Sequence, residues 1–353
     1  MPEKVRIGFV GVGSMGQCAH LRNYVTVPDC EVVALAELRP LLASKVAARY
    51  GVPQVYGSAE EMLASEELDA LVASQPFTRH GQLVPELLAA GIPIFTEKPL
   101  ASSVPAGRRV AEAVASSGTW HMLGYHKRSD PATMYAKAEI DRLKASGELG
   151  ALRYVRITMP AGDWVAAGFT DLIRSDEALP ELTYDPAPDD MSAEAFRAYV
   201  SFVNYYIHQV NLMRHLLGED YSVAHVDPSD VVMTVTSASG VAGVIEMSPY
   251  QTTVAWEEAA LIAFERGYIK LELPAPLASN RPGRVTIMRD PGEGATPTTE
   301  SPTLPWVHAM RQQAINFVAA VRGERPPMCQ ADEALKDLLV AQEYMQRLAE
   351  ARG

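Results

Sequence analysis

At 353 residues the chain exceeds what one hydrophobic core usually serves, so two domains are expected. Its 48% hydrophobic and 21% charged content is that of a soluble globular protein, and a formal charge of −12 with no basic block argues against general nucleic-acid binding. Cys18, Cys30 and Cys329 supply neither a disulfide framework nor a thiolate metal site, the N-terminus lacks a signal-peptide pattern, and no apolar run has the length of a membrane span. These features predict a cytoplasmic protein without a membrane partner.

The chain opens with an apolar run, VRIGFV, followed at once by GVGSMG. Gly11, Gly13 and Gly16 form G-x-G-x-x-G between a predicted strand and a predicted helix. The first glycine permits a tight turn, and the second lets the backbone approach a pyrophosphate. The third lets the helix lie close to the strand, while Ser14 and Met15 complete the phosphate-facing turn. The helix N-terminus adds free N–H groups and a favourable dipole. A second strand, EVVALAEL, ends in Glu37, 21 residues after Gly16. A carboxylate there accepts the ribose hydroxyls of an adenosine and repels a 2′-phosphate. NAD is therefore the expected cofactor, with NADP kept as a second choice by Arg39.

Further apolar runs, DALVAS (69–74), IPIFTE (92–97) and WHML (120–123), alternate with helical stretches. That rhythm predicts βαβ units and an α/β Rossmann domain with a doubly wound parallel sheet over residues 1–125. Ligands bind outside the carboxyl ends of such strands, which singles out Ser74, Gln75, Pro76, Glu97, Lys98 and Tyr125. In TEKPL, Pro99 restricts Lys98 to an extended conformation and delays the next helix. An ammonium held there can stabilise negative charge on a substrate oxygen, although a surface Glu–Lys pair reads the same way.

Residues 126–353 are predicted to form an α+β domain with a large, mostly antiparallel open sheet. A helix closed by Gly147 is followed by ALRYVRITM, DVVMTVTSAS, VAGVIEMS, EEAALIAFE, YIKLELP and RVTIMRD, with strand alternation and turn signals between them. From Asp163 to Arg197 there are nine acidic residues against two basic ones. This stretch reads either as a solvated loop or as a substrate lid attracting a cationic group such as an amino sugar. Asp163, Trp164 and Asp171 are the candidates for the second reading. The run NYYIHQVNLMRHLLG (204–218) predicts one helix ending at Gly218. Asn204, His208 and Asn211 then share a stripe, as a satisfied polar cluster or as the setting of a proton acceptor. His20, His80, His121 and His126 lack the spacing of a metal site, so no metal is expected.

Taken together, GVGSMG, QPFTRH, AAGIPIFTEKPLA, GYHKRSDP, SGELGALRYVRI, the His208 segment and FVAAVRGERPPMCQADEALKDLLVAQEYMQ resemble the glucose–fructose oxidoreductase / inositol dehydrogenase (Gfo/Idh/MocA) family over nearly the whole chain. The resemblance implies an NAD(P)-dependent dehydrogenase moving hydride between the nicotinamide and a secondary alcohol of a sugar, cyclitol or amino-sugar derivative, bound between the domains. It implies that Lys98 sits near the substrate hydroxyl, that His208 is the acid/base, and that His80 lies near the cofactor. Tyr125, Lys127 and Arg128 fall where the family lines the substrate cleft. It also implies a homodimer or homotetramer built through the C-terminal sheet. The family pattern has aspartates where this chain has Asn204 and Asn211, so Asn204 can orient the histidine but brings no negative charge. Two rivals share the resemblance: an NAD-using glycoside hydrolase, and a non-catalytic NAD-sensing regulatory protein.

Overall fold

Parallel strands buried on both faces need near-continuous apolar runs, and the first third of the chain supplies them. The structure, a computed structural model, describes residues 3–353. Its first elements are β1 (Val5–Val10), α1 (a π-helical segment, Gly16–Leu21, continuing as Arg22–Tyr24), β2 (Cys30–Ala36) and α2 (Pro40–Tyr50). Then come β3 (Gln54–Tyr56), α3 (Ala59–Ser65), β4 (Ala70–Ala73), α4 (His80–Leu88), β5 (Ile94–Thr96), α5 (Val104–Ser117) and β6 (His121–Leu123). The six strands are parallel in the order β3-β2-β1-β4-β5-β6. Ile7, Phe9, Val72 and Phe95 are wholly buried in their core.

The second set of elements is α6 (His126–Ser129), α7 (Pro131–Ser146), β7 (Leu152–Ala161), α8 (Ala193–Tyr205), α9 (Ile207–Leu217), β8 (Tyr221–Val226), β9 (Val232–Ser237) and β10 (Ala242–Gln251). It closes with β11 (Glu258–Phe264), β12 (Gly267–Leu273), β13 (Arg284–Arg289), β14 (Thr298–Glu300), α10 (Ala309–Val321) and α11 (Ala331–Arg352). Eight strands run in the order β14-β13-β12-β11-β7-β10-β9-β8. All pairs are antiparallel except β7 with β10, and β11 and β12 alternate buried and half-exposed residues as a one-sided sheet requires. Asp130 caps α7 through the Ala132 N–H, and Gly147 ends it in the left-handed conformation. Among the described residues, no helix is long and apolar enough to cross a membrane.

The chain divides into two compact units, and here the expected division at 125/126 into two continuous stretches needs correction. The first unit holds the residues up to Tyr125, Phe169–Asn204 and Met310–Leu338; the second holds His126–Gly168, Tyr205–Ala309 and Leu339–Gly353. The returning pieces are bound to the first sheet by their own chemistry. Ala314, Phe317 and Val318 of α10 join its core, and the Leu123 N–H donates to the Cys329 carbonyl beside β6. The single helix predicted over 204–218 is two helices, interrupted at Tyr206, two residues after the last residue of the first unit's middle stretch, Asn204. Short or polar edge strands β3, β8 and β14 carried too little apolar alternation to be foreseen.

Candidate active site

In the first unit the glycine turn has the geometry its spacing demands. Gly11 sits at φ +87°, and a Cβ there would come within 2.1 Å of Gln75 Nε2 and 2.7 Å of the Ser74 carbonyl. A Cβ on Gly16 would meet the Gly11 carbonyl at 2.7 Å, whereas a Cβ on Gly13 would meet nothing within 4 Å. The turn is thus packed at its base and open where a diphosphate would lie. That cradle, exposed at Ser14 and half-exposed at Met15, fits the dinucleotide.

Glu37, at the end of β2, is buried and accepts from the Val12 N–H at 3.1 Å and from Arg39 Nε at 2.7 Å. Arg39 is thereby drawn to the carboxylate. After β4, Ser74 and Gln75 close on the Gly11 turn, Pro76 is exposed, and Gln75 Oε1 accepts from Arg79 at 3.2 Å. His80 is wholly buried and donates from Nδ1 to the Leu100 carbonyl, and burial lowers its pKa to about 4. It props the loop after β5 and offers no face to a cofactor, which corrects the expectation for this residue.

Glu97 is held by the His20 Nε2–H at 2.7 Å and by the Lys98 N–H at 3.2 Å. Burial pushes its carboxyl up, but the bond to and charge of His20, together with the charge and N–H of Lys98, leave it below the ordinary value. The pair anchors the segment bearing Lys98, whose peptide to Pro99 is cis. The half-buried Lys98 ammonium donates to the carbonyl of Asn204 at 2.6 Å, in the last turn of α8. Tyr125 is buried at the end of this unit's first stretch of chain.

In the second unit the crossover helix α6 lies against α9, His126 and Arg128 meeting it directly and Lys127 through Glu258 of β11. The His126 ring packs edge-on against His208, centroids 4.7 Å apart. Lys127 pairs with Glu258, whose other oxygen accepts from Gln209 Nε2 at 2.8 Å. Arg128 Nε donates to Asn211 Oδ1 at 2.6 Å. Lys127 and Arg128 are therefore buried supports of the His208 helix, not the cleft-lining donors expected of them. His208 itself is half-buried. Sequence reasoning missed His126 and Glu258 as parts of this shell; only GYHKRSDP hinted at the first, and nothing local pointed to the second.

The acidic stretch is a largely exposed loop, as the first reading expects, fastened to the framework at a few of its carboxylates. Asp163 accepts from its own neighbours, the N–H groups of Val165 and Ala166, and Trp164 is exposed with its carbonyl bonded to Leu277 N–H. Asp171 pairs with Arg49 on α2, and Asp185 is buried against Gly81 and Arg109. These carboxylates are spent on framework contacts.

Residues 5–125 match the model of an oxidoreductase family with an NAD-binding Rossmann fold. An inositol 2-dehydrogenase of Burkholderia cenocepacia (strain HI2424) is 24% identical, the alignment covering 96% of this chain and 97% of that one. Two solved structures share the fold. A putative NADPH-dependent oxidoreductase from Desulfitobacterium hafniense DCB-2 has a TM-score of 0.78 and 14% identity, covering 100% of this chain and 97% of that one. A putative myo-inositol dehydrogenase from Sinorhizobium meliloti 1021 has a TM-score of 0.69 and 22% identity, covering 99% and 98%. The glycine turn at the head of the parallel sheet is that of an NAD-binding Rossmann domain of the oxidoreductase type. Over residues 5–125 the chain matches the Gfo/Idh/MocA oxidoreductase model, and along nearly its whole length it is similar to the inositol 2-dehydrogenase above.

Proposed function

We propose that the protein is an NAD-dependent dehydrogenase acting on a secondary alcohol of a cyclitol or sugar, with His208 as proton acceptor and Lys98 as the group that steadies the substrate oxygen. The observation that carries this reading is the reach of Lys98. Its ammonium donates to the Asn204 carbonyl, four residues before His208 along the chain. NAD, when bound, supplies a two-electron acceptor at its nicotinamide.

The backbone of Gly11–Gly16 would hold the diphosphate and Glu37 the adenosine ribose. His208, its ring buttressed by His126, takes the hydroxyl proton, while Lys98 stabilises the oxygen as charge develops on it. Asn204 contributes its backbone carbonyl, holding the lysine, in addition to its side chain. An amino-bearing substrate loses support from Asp163 and Asp171, whose carboxylates are engaged by backbone N–H groups and by Arg49. Assembly as a homodimer or homotetramer through the second sheet belongs to the same proposal and is read by sedimentation.

The deciding experiment is a panel of cyclitols and sugars with NAD, followed by absorbance of the reduced cofactor. Turnover on members of the panel is expected. NAD binding without net reduction across the panel would overturn the dehydrogenase reading.

A further inference from the structure

The first unit carries a segment that neither the glycine turn nor the dehydrogenase chemistry explains. From Phe169 to Asp185 the chain is pinned along the first domain by side chains. Arg22 stacks on the Phe169 ring at 5.3 Å, and Arg49, near the end of α2, pairs with Asp171. Gln17, buried just after the glycine turn, both donates to the Ile173 carbonyl and accepts from its N–H, each at 3.1 Å. Glu177 then accepts from the N–H groups of Leu41 and Leu42 at 2.9 and 3.0 Å, at the start of α2. At the far end, Arg79 Nε donates to the Thr183 carbonyl, and Asp185 accepts from the Gly81 N–H at 3.0 Å.

These anchors fix the path. Helix α2 starts at the carboxyl end of β2 and α4 follows the carboxyl end of β4, with β1 and its glycine turn between them in the sheet. Two strand spacings are about 10 Å, and six extended residues from Glu177 to Thr183 reach about 20 Å. The segment thus passes across the edge where the dinucleotide binds. Among the described residues, Ala178 to Leu182 form no hydrogen bond, so the crossing is made by free chain between two fastened ends.

The adenosine end of that edge is where a 2′-phosphate would be received. Its natural receptors are a cation just after β2 and the first N–H groups of the following helix. Both are taken. Arg39 is bound by Glu37, and the Leu41 and Leu42 N–H groups are bound by Glu177. Ser175 donates to Glu177 at 2.6 Å and, with the Leu41 N–H, holds its carboxyl below the ordinary value.

We propose that Glu177, delivered by this segment, is a second determinant of cofactor choice: it fills the 2′-phosphate receptor at the start of α2 and so enforces NAD over NADP alongside Glu37. The inference rests on the NAD reading of the site. It differs from the usual arrangement in that the discriminating carboxylate comes from 140 positions further along the chain than Glu37.

The test is binding of NAD and of NADP to the full chain by titration calorimetry, without substrate, for the natural protein, Glu177→Gln, Ser175→Ala and Glu37→Gln. The natural protein should prefer NAD. Glu177→Gln should tighten NADP about three- to tenfold while NAD stays within about twofold, and the gain should shrink at high salt. Ser175→Ala, which frees the carboxylate from its support, should move NADP in the same direction by less. Unchanged NADP affinity in Glu177→Gln, or a parallel loss of both nucleotides, would overturn the assignment of Glu177 while leaving the NAD reading intact. A natural protein that binds NADP as well as NAD would sink both.

Discussion

The glycine turn of the first unit and the His208 helix of the second are both candidate functional regions, yet they are built on opposite plans. The turn works through backbone. Its key residues, Gly11 to Gly16, lie within one short turn of the chain, and its fit depends on absent side chains. The His208 helix works through side chains held by other side chains, with Lys127 and Glu258 meeting from 131 residues apart. A backbone device is rigid because the fold is rigid. A side-chain device is only as firm as its supporting charges, and a mutation in the support should reach the histidine.

The largest expected effect strikes the second region directly. His208→Ala should lower turnover about 10²- to 10⁴-fold while leaving NAD affinity, measured by calorimetry, unchanged. Near-normal turnover would remove His208 from the chemistry. Next comes the supporting ion pair. Glu258→Ala leaves the Lys127 ammonium buried and uncompensated, which should cost about 3–5 kcal/mol in denaturant unfolding. The paired change Lys127→Met with Glu258→Leu should recover most of that loss. If the double variant is as unstable as the single, the pair is not the support described above.

The contrast is sharpened from the other side by Gly11→Ala. The new Cβ would press on Gln75 and Ser74 at a backbone angle that favours glycine, so NAD affinity should fall at least about tenfold with the second unit's fold retained. The smallest effect concerns acid stability of the first unit. Burial lowers His80 to about 4 and His121 to about 3 in the folded protein. Unfolded, both take protons from about pH 6.5 downward, so stability should decline as pH falls from there toward 4. His121→Gln should flatten this limb by up to about 1.4 kcal/mol per pH unit in urea titrations, and an unaltered slope would count against a buried neutral imidazole.

The parallel sheet, the glycine turn and Glu37 were legible because each rests on local spacing or an uninterrupted apolar run. The second sheet was legible for the same reason wherever its strands alternate cleanly, as in β11 and β12. Three things were hidden. Helix α9 was read as beginning at Asn204, because nothing in NYYIHQVN marks the interruption at Tyr206. The resemblance puts Lys127 and Arg128 in the lining of the substrate cleft, and the burial of Lys127 is betrayed only by its distant partner. Net charge gives the acidic residues between Asp163 and Arg197 one common role, whereas Glu177 and Asp185 each bind the start of a different helix.

Gly81 gives this molecule an unusual relation to stabilising design. A glycine in the first turn of α4 invites replacement by alanine, which favours helix by up to about 1 kcal/mol. In this chain the added methyl carbon would lie 2.4 Å from Asp185 Oδ1, so the carboxylate would have to leave the Gly81 N–H. A substitution chosen to strengthen one helix would therefore unfasten a segment 104 residues away, and a design procedure scoring helices one at a time would recommend it.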